Sequence, residues 1–121
     1  MADSVIMPEQ DILKPYIVPK GDKSKQDAGK LPWELVPGDA VEEIVKVLDY
    51  GANKYTARGW EEGMHWSRCF GALMRHMWAW WRGEDKDQET GITHLAHAGC
   101  CILFLIAYEK RRIGTDDRHK L

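Results

Sequence analysis

Apolar side chains recur at helical spacing in three stretches of the chain, and all three stretches follow residue 37. The first stretch predicts a helix over about residues 40–55. Asp39 precedes it as the predicted N-cap, and Glu42 stands where it would complete a capping box. The apolar face of this helix consists of Val41, Ile44, Val45, Leu48 and Ala52.

The second stretch predicts a helix over about residues 66–81, which Ser67 or His65 would cap. Its apolar face, which we expect to lie in the core, consists of Phe70, Leu73, Met74, Met77 and Trp81. Another stripe combines three arginines with two small residues: Arg68, Ala72, Arg75, Ala79 and Arg82. This stripe is either a solvated face or one wall of a groove for an anionic ligand.

The third stretch predicts a helix over about residues 92–112, which Thr90 or Thr93 would cap. Its main apolar face consists of Leu95, Ala98, Ile102, Leu105 and Ile106. A second face beside it consists of His94, His97, Cys101, Phe104 and Tyr108. Because this helix is apolar around most of its circumference, we expect it to be central. No strand-like alternation extends beyond a few residues, so the predicted fold class is all-α.

The segments on either side of the helices differ from them in composition. All five prolines lie in residues 1–37, around the polar stretch GDKSKQDAGK, and this pattern predicts an extended arm. Residues 38–112 form the predicted compact helical domain with its three main helices. Residues 113–121 form a basic tail, which we expect to fray.

Composition and charge narrow the class of protein. The chain of 121 residues allows one domain, and its net charge of −2 does not favour binding to extended nucleic acid. Its three cysteines form no C-x-x-C pair, which favours a reducing cytoplasm over a disulfide framework or a zinc knuckle. The longest apolar run, Cys100–Tyr108, is too short to span a membrane, and the N-terminal sequence carries no apolar targeting segment. We therefore expect a cytoplasmic protein.

Two histidines at the start of the third helix are the strongest candidates for chemistry. His94 and His97 are one turn apart, so they share an inward-pointing face with Cys101 and Phe104. The partial positive charge of a helix N-terminus disfavours imidazolium, and neutral imidazole ligates metals or accepts protons. The alternative is a pair of core histidines whose nitrogens are satisfied by carboxylates or backbone groups.

Carboxylates would complete an oxygen-and-nitrogen metal site with these histidines. The segment just before the third helix contains Glu84 and Asp87, and Glu43 is free on the first helix. Such a site would take Mg²⁺ or Mn²⁺. The alternative is an acidic, solvated turn. His76 on the second helix is a further candidate, with a partly exposed packing role as its alternative.

The stretch YGANKYTARGW combines cations with aromatic rings. Lys54 and Arg58 can contact phosphates, and Tyr55 and Trp60 can stack on bases, which together suits a nucleotide. The alternative is a structural turn with two packed aromatic side chains.

Three segments of the chain together resemble a known family. They are DAGKLPWELVP, EEIVKVLDYGANKYTARGW and LMRHMWAWWRGEDKDQETGITHLAHAGCCILFL. In this order they resemble the phage-associated dATP/dGTP diphosphohydrolase N-terminal family over about residues 27–106. That family is usually grouped with the MazG-like all-α nucleoside triphosphate pyrophosphohydrolases. These enzymes cleave between the α- and β-phosphates with Mg²⁺ or Mn²⁺ held by helix carboxylates.

The resemblance implies a MazG-like fold and a metal-dependent hydrolase that converts dATP or dGTP to the monophosphate and pyrophosphate. Taken together with the residues singled out above, the predicted metal ligands are Glu43, Glu84, Asp87, His94 and His97. The predicted catalytic residues are Glu43, Glu84, Asp87 and His97. The predicted nucleotide-binding residues are Lys30, Lys54, Tyr55, Arg58, Trp60, Arg75 and Arg82.

Two other functions are open to the same sequence. The MazG signature is E-x-x-E on one helix and E-x-x-D on a later one. Here Val45 and Lys46 follow Glu42 and Glu43 by three residues, and a literal E-x-x-D begins at Glu84. A non-catalytic protein that sequesters a phosphate-bearing nucleotide is therefore the alternative function. A helical interaction module would explain the WAWW cluster but not the HLAH and GEDKD segments.

We expect a helical homo-oligomer, because six tryptophans and a third helix that is apolar on most sides exceed what three helices can bury. Light scattering of the purified chain at micromolar concentration checks this expectation. A measured mass equal to that of one chain, 13.9 kDa, would contradict it.

Overall fold

Three α-helices make up most of the part of the chain that is described, which is residues 29–120 of a computed structural model. They are α1 (Gly38–Lys54), α2 (Trp66–Trp81) and α3 (His94–Arg111), with 3₁₀ turns at Trp33–Leu35 and Gly59–Glu62. Within residues 29–120 there is no strand, so the predicted all-α class with three main helices is confirmed. Most of the predicted arm, residues 1–28, lies outside the described residues.

The central helix is α3, as its apolar circumference predicts. The described residues from Glu34 onward form one compact unit in which α3 packs against both α1 and α2. Gly99 lets α1 approach α3 closely, because a Cβ at this position would lie 2.8 Å from Cδ1 of Ile44. None of the helices described is both long enough and apolar enough to cross a membrane.

The start of α1 differs from its prediction. The helix begins one residue before Asp39, and Pro37 occupies the N-cap position without a side-chain hydrogen bond. The Pro37 carbonyl accepts from the N–H of Val41, which starts the helical hydrogen bonds ahead of Asp39. The Asp39 carboxylate instead accepts from the adjacent N–H of Ala40. The predicted capping box of Asp39 and Glu42 is therefore wrong.

The start of α3 resolves the choice between two predicted caps. Thr93 is the N-cap, and its hydroxyl oxygen accepts from the N–H of Leu95 at 3.3 Å. The helix therefore begins at His94, two residues later than predicted, and one of the two candidate histidines is its first residue.

The segment after α3 docks on the start of α2, so the expectation that it frays is wrong. The N–H of Trp66 donates to the Thr115 carbonyl at 3.0 Å, and the N–H of Thr115 donates to the Met64 carbonyl at 3.2 Å. The Asp117 carboxylate accepts from both the backbone N–H and the hydroxyl of Ser67. A side chain far along the chain thus satisfies an N–H that the first turn of α2 leaves without a partner.

The face of α2 that lies in the core is not the predicted one. Phe70 and Trp81 are 52% and 73% exposed, whereas Cys69 and Leu73 are buried. Of the predicted core face, only Leu73 belongs to the buried core. The physical reason is that α3 packs on the side of α2 that carries the smaller residues.

The large side chains that α3 buries belong to the second of its two apolar faces, and the main face contributes only Ala98 to the buried residues. His94, His97 and Tyr108 are buried, whereas Leu95 and Ile106 on the main apolar face are 43% and 46% exposed. The exposed apolar side chains of α2 and α3 are what the expected homo-oligomer would cover. The oligomer itself stays a prediction.

Tyr108 fastens the segment between α1 and α2 to the central helix. The residue is 0% exposed, and its hydroxyl donates to the Trp60 carbonyl at 2.7 Å. The Trp60 ring stacks on Phe104, with ring centroids 4.7 Å apart and planes 13° from parallel. The Arg111 guanidinium lies 5.3 Å from the centre of the same Trp60 ring.

Removing the Tyr108 hydroxyl with Tyr108→Phe is expected to lower the free energy of unfolding by about 0.5 to 1.5 kcal/mol, because the Trp60 carbonyl loses one of its two donors and keeps the N–H of Gly63. Urea unfolding followed by circular dichroism measures this change. Tyr55→Phe is the matched control, since Tyr55 is 73% exposed, and should change stability by less than about 0.5 kcal/mol. Equal stability of Tyr108→Phe and the wild type would contradict the role of this hydrogen bond.

Candidate functional site

Five polar side chains meet where α2, the loop after it and the start of α3 come together. We call them the histidine cluster, and they are His76 from α2, Glu84 and Asp87 from the loop, and His94 and His97 from α3. The cluster forms because α2 and α3 pack directly against each other and the loop between them folds back on their contact.

Backbone hydrogen bonds stabilise the conformation of this loop. The N–H of Asp87 donates to the Ile92 carbonyl at 2.9 Å, and the N–H of Gly91 donates to the Asp87 carbonyl at 2.8 Å. The N–H of His94 donates to the Asp85 carbonyl at 3.0 Å, which ties the loop to the start of α3. Gly91 has a φ of 71°, a conformation that side-chain-bearing residues rarely adopt. The loop therefore fixes Asp87 relative to His94.

His94 is partnered at both ring nitrogens although it is only 4% exposed. Its Nε2 lies 2.8 Å from Oε1 of Glu84, and its Nδ1 lies 2.9 Å from Nδ1 of His76. A carboxylate only accepts, so Nε2 carries the proton and donates it to Glu84. In the neutral ring, Nδ1 then presents a lone pair to His76.

His97 and His76 stack face to face beside this contact. Their ring centroids are 4.6 Å apart and their planes are 9° from parallel. Nε2 of His97 lies 2.7 Å from the Thr90 hydroxyl. Burial lowers the pKa of His97, and burial together with the neighbouring His97 and His94 lowers the pKa of His76. Both rings therefore favour the neutral form, which keeps lone pairs available for a cation or a proton.

Asp87 is the carboxylate that faces these histidines. Its Oδ1 accepts from the backbone N–H groups of Glu89 and Thr90 at 2.9 and 3.0 Å. Burial alone would raise the pKa of Asp87, but these N–H groups and the nearby His97 and His76 outweigh burial and lower the pKa. The carboxyl group is thus held in its ionised form, which is the form that binds cations.

Three members of the cluster could hold a metal ion. One donor atom each from His76, Asp87 and His94 lie within 4.8 Å of one another, and no other group of this kind occurs among residues 29–120. Two imidazole nitrogens and one carboxylate oxygen suit Mn²⁺ and its first-row neighbours, whereas Mg²⁺ favours oxygen ligands. Of the two cations that the resemblance implies, the donor set fits Mn²⁺ better.

The other predicted metal ligands lie outside this group of three donors. Glu84 is bonded to Nε2 of His94, and His97 faces Thr90. Glu43 is on α1, where its Oε2 accepts from Nζ of Lys46 at 2.6 Å. The structure thus brings four of the five predicted ligands into one cluster and places Glu43 in a separate ion pair.

Lys54, predicted to bind nucleotide, reaches the loop from the end of α1. Its Nζ lies 2.9 Å from Oε1 of Glu89, and this carboxylate raises the pKa of Lys54. The rings of Tyr50 and Tyr55 lie 5.7 and 5.4 Å from the same ammonium group. Because Glu89 is two residues from Asp87, a cation and two aromatic rings lie at the loop that carries the cluster.

The other predicted nucleotide-binding residues are spread over the described residues. Arg75 is exposed on α2, and Arg82 is exposed just after it. Arg58 forms a local ion pair with a glutamate, and Trp60 packs on α3. Lys30 is exposed and precedes the unit that begins at Glu34. Their contacts to a nucleotide stay predictions.

His76 is the member of the cluster that the predicted ligand set omits. It follows Leu73 by three residues and Cys69 by seven, so all three share one face of α2. Cys69 and Leu73 are the buried residues of α2, so their shared face with His76 is the feature of the sequence that indicates that His76 points at α3. Thr90, which the sequence offers as a helix cap, is instead the partner of His97.

The chain matches proteins of one named family. A family model described as dATP/dGTP diphosphohydrolase, N-terminal, matches residues 20–118, which include the whole histidine cluster. A protein of Salmonella phage PMBT28 named dATP/dGTP diphosphohydrolase is 35% identical over 94 residues, covering 78% of this chain and 32% of that protein. The chain thus spans about a third of the length of that relative. No solved structure gives a significant match.

We expect the metal-free protein to lose stability as the pH falls below 6.5, the ordinary pKa from which His76 and His97 are lowered. The unfolded chain then takes up protons before the folded chain does, which lowers the free energy of unfolding. Above this pH both states are neutral at these histidines, so the effect disappears. Urea unfolding in EDTA between about pH 7.5 and pH 5 measures it.

A matched pair of variants tests whether the buried histidines cause this pH dependence of stability. His97→Gln should flatten the slope, and His119→Gln, which changes an exposed histidine of the C-terminal segment, should leave it as in the wild type. Stability that rises on acidification over this range would contradict the lowered pKa values.

Proposed function

Because the chain belongs to the dATP/dGTP diphosphohydrolase N-terminal family, we propose that it hydrolyses purine deoxynucleoside triphosphates to monophosphate and pyrophosphate with a divalent cation, Mg²⁺ or Mn²⁺. The observation that carries this proposal is the histidine cluster, which places His76, Asp87 and His94 together inside the matched segment. Since the chain covers 32% of its phage relative, the activity, substrates and partners of that whole protein are proposals for this chain.

The cluster supplies the groups that this reaction needs. His76, Asp87 and His94 would hold the cation, which, when bound, neutralises phosphate charge and lowers the pKa of the attacking water. The Thr90 hydroxyl lies 2.7 Å from Nε2 of His97, so a proton can pass from water through this hydroxyl to the imidazole. Water adds to the α-phosphorus, the bond from that phosphorus to the bridging oxygen breaks, and pyrophosphate leaves.

The cationic residues near the loop would bind the triphosphate. Lys54 is already paired with the Glu89 carboxylate, and a phosphate group would take the place of that carboxylate. Tyr55 is exposed beside Lys54 and offers its ring to the base. Arg75 and Arg82 would contribute further charge from α2 and its end. We also propose that the chain forms a homo-oligomer and that it acts in the cytoplasm of a phage host.

A second function has an observation in its favour. The carboxylates of Glu43 and Glu84 are engaged with Lys46 and His94, so Asp87 is the one carboxylate in the group of three donors among residues 29–120. A site with one carboxylate ligand suits a protein that binds a phosphate-bearing nucleotide without turnover. This sequestering protein is the alternative to the hydrolase.

Assay of pyrophosphate release from a panel of deoxynucleoside triphosphates, with Mg²⁺ or Mn²⁺, is expected to give the fastest release from dATP and dGTP. Lys54→Ala and Arg75→Ala should each weaken nucleotide binding about tenfold to hundredfold, because each removes a charge-assisted contact to phosphate. Calorimetry measures this affinity. Lys110→Ala is the matched control, since it removes an exposed cation at the opposite end of α3 from His94.

Two results separate the two functions. Pyrophosphate release from dATP and dGTP supports the hydrolase. Tight binding of nucleotide without any release supports the sequestering protein instead. Unchanged affinity in both Lys54→Ala and Arg75→Ala would remove these two residues from the site.

A further inference from the structure

We infer that the histidine cluster is a transition-metal site, in which His76, His94 and Asp87 are the ligands and Glu84 and His97 position them, and that it binds Mn²⁺ and its first-row neighbours in preference to Mg²⁺. This inference rests on the proposed function and deepens it, because it names the class of cation that His76, His94 and Asp87 select. It also gives Glu84 and His97 a positioning role toward these ligands.

The two ligand histidines approach each other at a nitrogen–nitrogen distance that a shared metal ion would accept. Nδ1 of His94 presents a lone pair, because its only ring proton is on Nε2 and is donated to Glu84. Nδ1 of His76 lies 2.9 Å away. Two metal–nitrogen bonds of about 2.1 Å that meet at a right angle place their nitrogens roughly 3.0 Å apart. When His76 carries its proton on Nε2, each of the two Nδ1 atoms has a lone pair, and an ion would take the place of the hydrogen bond between them.

Asp87 supplies the third ligand and the negative charge. Its Oδ1 is held by the two backbone N–H groups of Glu89 and Thr90. These bonds orient the carboxylate and leave Oδ2 without a hydrogen-bond partner among the described residues. The donor atom of Asp87 lies within 4.8 Å of those of His76 and His94, so a small shift of the loop brings the three to bonding distance of one ion.

Glu84 and His97 act on the ligands rather than on the ion. A carboxylate that accepts from the far nitrogen of a ligand histidine fixes its tautomer and makes the near nitrogen a stronger donor. Glu84 has this relation to His94 at 2.8 Å. His97 stacks on the ring of His76 at 4.6 Å and is itself tied to Thr90, so it limits how the His76 ring can turn.

The donor set selects the ion. Imidazole nitrogen binds first-row transition metals, most strongly those after Mn²⁺ in the series, whereas Mg²⁺ takes oxygen ligands in an octahedron and keeps much of its water. His94 is 4% exposed, whereas His76 and Asp87 are half-buried, so the ion would lie at the edge of the buried helix contact. Three protein ligands also leave coordination positions for phosphate oxygens and for a water molecule.

Metal binding tests this inference without any substrate. The chain is stripped with EDTA, freed of chelator and titrated with Mn²⁺, while electron paramagnetic resonance follows the signal of the free ion. We expect one Mn²⁺ bound per chain and less than half of it displaced by an approximately hundredfold excess of Mg²⁺. Displacement of Mn²⁺ by an equal concentration of Mg²⁺ would overturn the inference.

Variants assign the ligands. His76→Gln and Asp87→Asn should each weaken Mn²⁺ binding by at least about tenfold, and Glu84→Gln should weaken it about tenfold while keeping the same ligands. His119→Gln is the control and should bind as the wild type does. Wild-type affinity in His76→Gln would overturn the inference, provided circular dichroism shows the variant to be helical.

The wild-type protein gives a reading that does not depend on the folding of any variant. Pulsed paramagnetic resonance of bound Mn²⁺ should show coupling to imidazole nitrogens, and absence of that coupling would overturn the inference. Nitrogen-coupled Mn²⁺ in a chain that releases no pyrophosphate would leave the inference standing and contradict the hydrolase. Equal pyrophosphate release by the wild type and His76→Gln with Mg²⁺ would support the hydrolase and contradict the inference.

Discussion

The burial of imidazole nitrogens between α2 and α3 is the constraint on which the rest of the site depends. A buried polar atom without a partner is costly, and within the described residues no buried side-chain nitrogen or oxygen lacks one. His94 needs an acceptor at Nε2 and a partner at Nδ1, and His97 needs a partner at Nε2. The loop must therefore return to the helix contact to deliver Glu84 and Thr90. That return also places Asp87 beside the histidines.

The helices of this fold follow from local pattern, but the faces that they bury do not. The bounds of α2 match the expectation of residues 66–81, because apolar spacing and helix propensity are properties of the segment itself. The spacing of apolar residues shows which residues share one face of a helix. Which of its faces is buried depends on the element that packs against the helix. Large rings such as those of Phe70 and Trp81 dominate the apolar count, whereas the contact with α3 uses Cys69 and Leu73.

The same distinction explains which parts of the site could be predicted. Glu84, Asp87, His94 and His97 lie within one loop and one helical turn, so sequence proximity was enough to group them. His76 is 18 residues before His94, and their contact exists only because two helices pack. Glu43 is a free carboxylate in the sequence but lies on another helix, and its ion pair with Lys46 is a contact between neighbours on one face of α1.

The cap that Asp117 provides for α2 has a consequence for how the chain reaches its native state during synthesis. Ser67 and Asp117 are 50 residues apart, and at roughly 5 to 20 residues per second a ribosome needs several seconds to make the residues between them. Throughout that interval the first turn of α2 has no such acceptor for its N–H groups, while α3 is still being made. The unit therefore completes α2 only after translation has passed α3, so a ribosome that pauses between residues 67 and 117 holds a nascent chain with an uncapped, apolar helix.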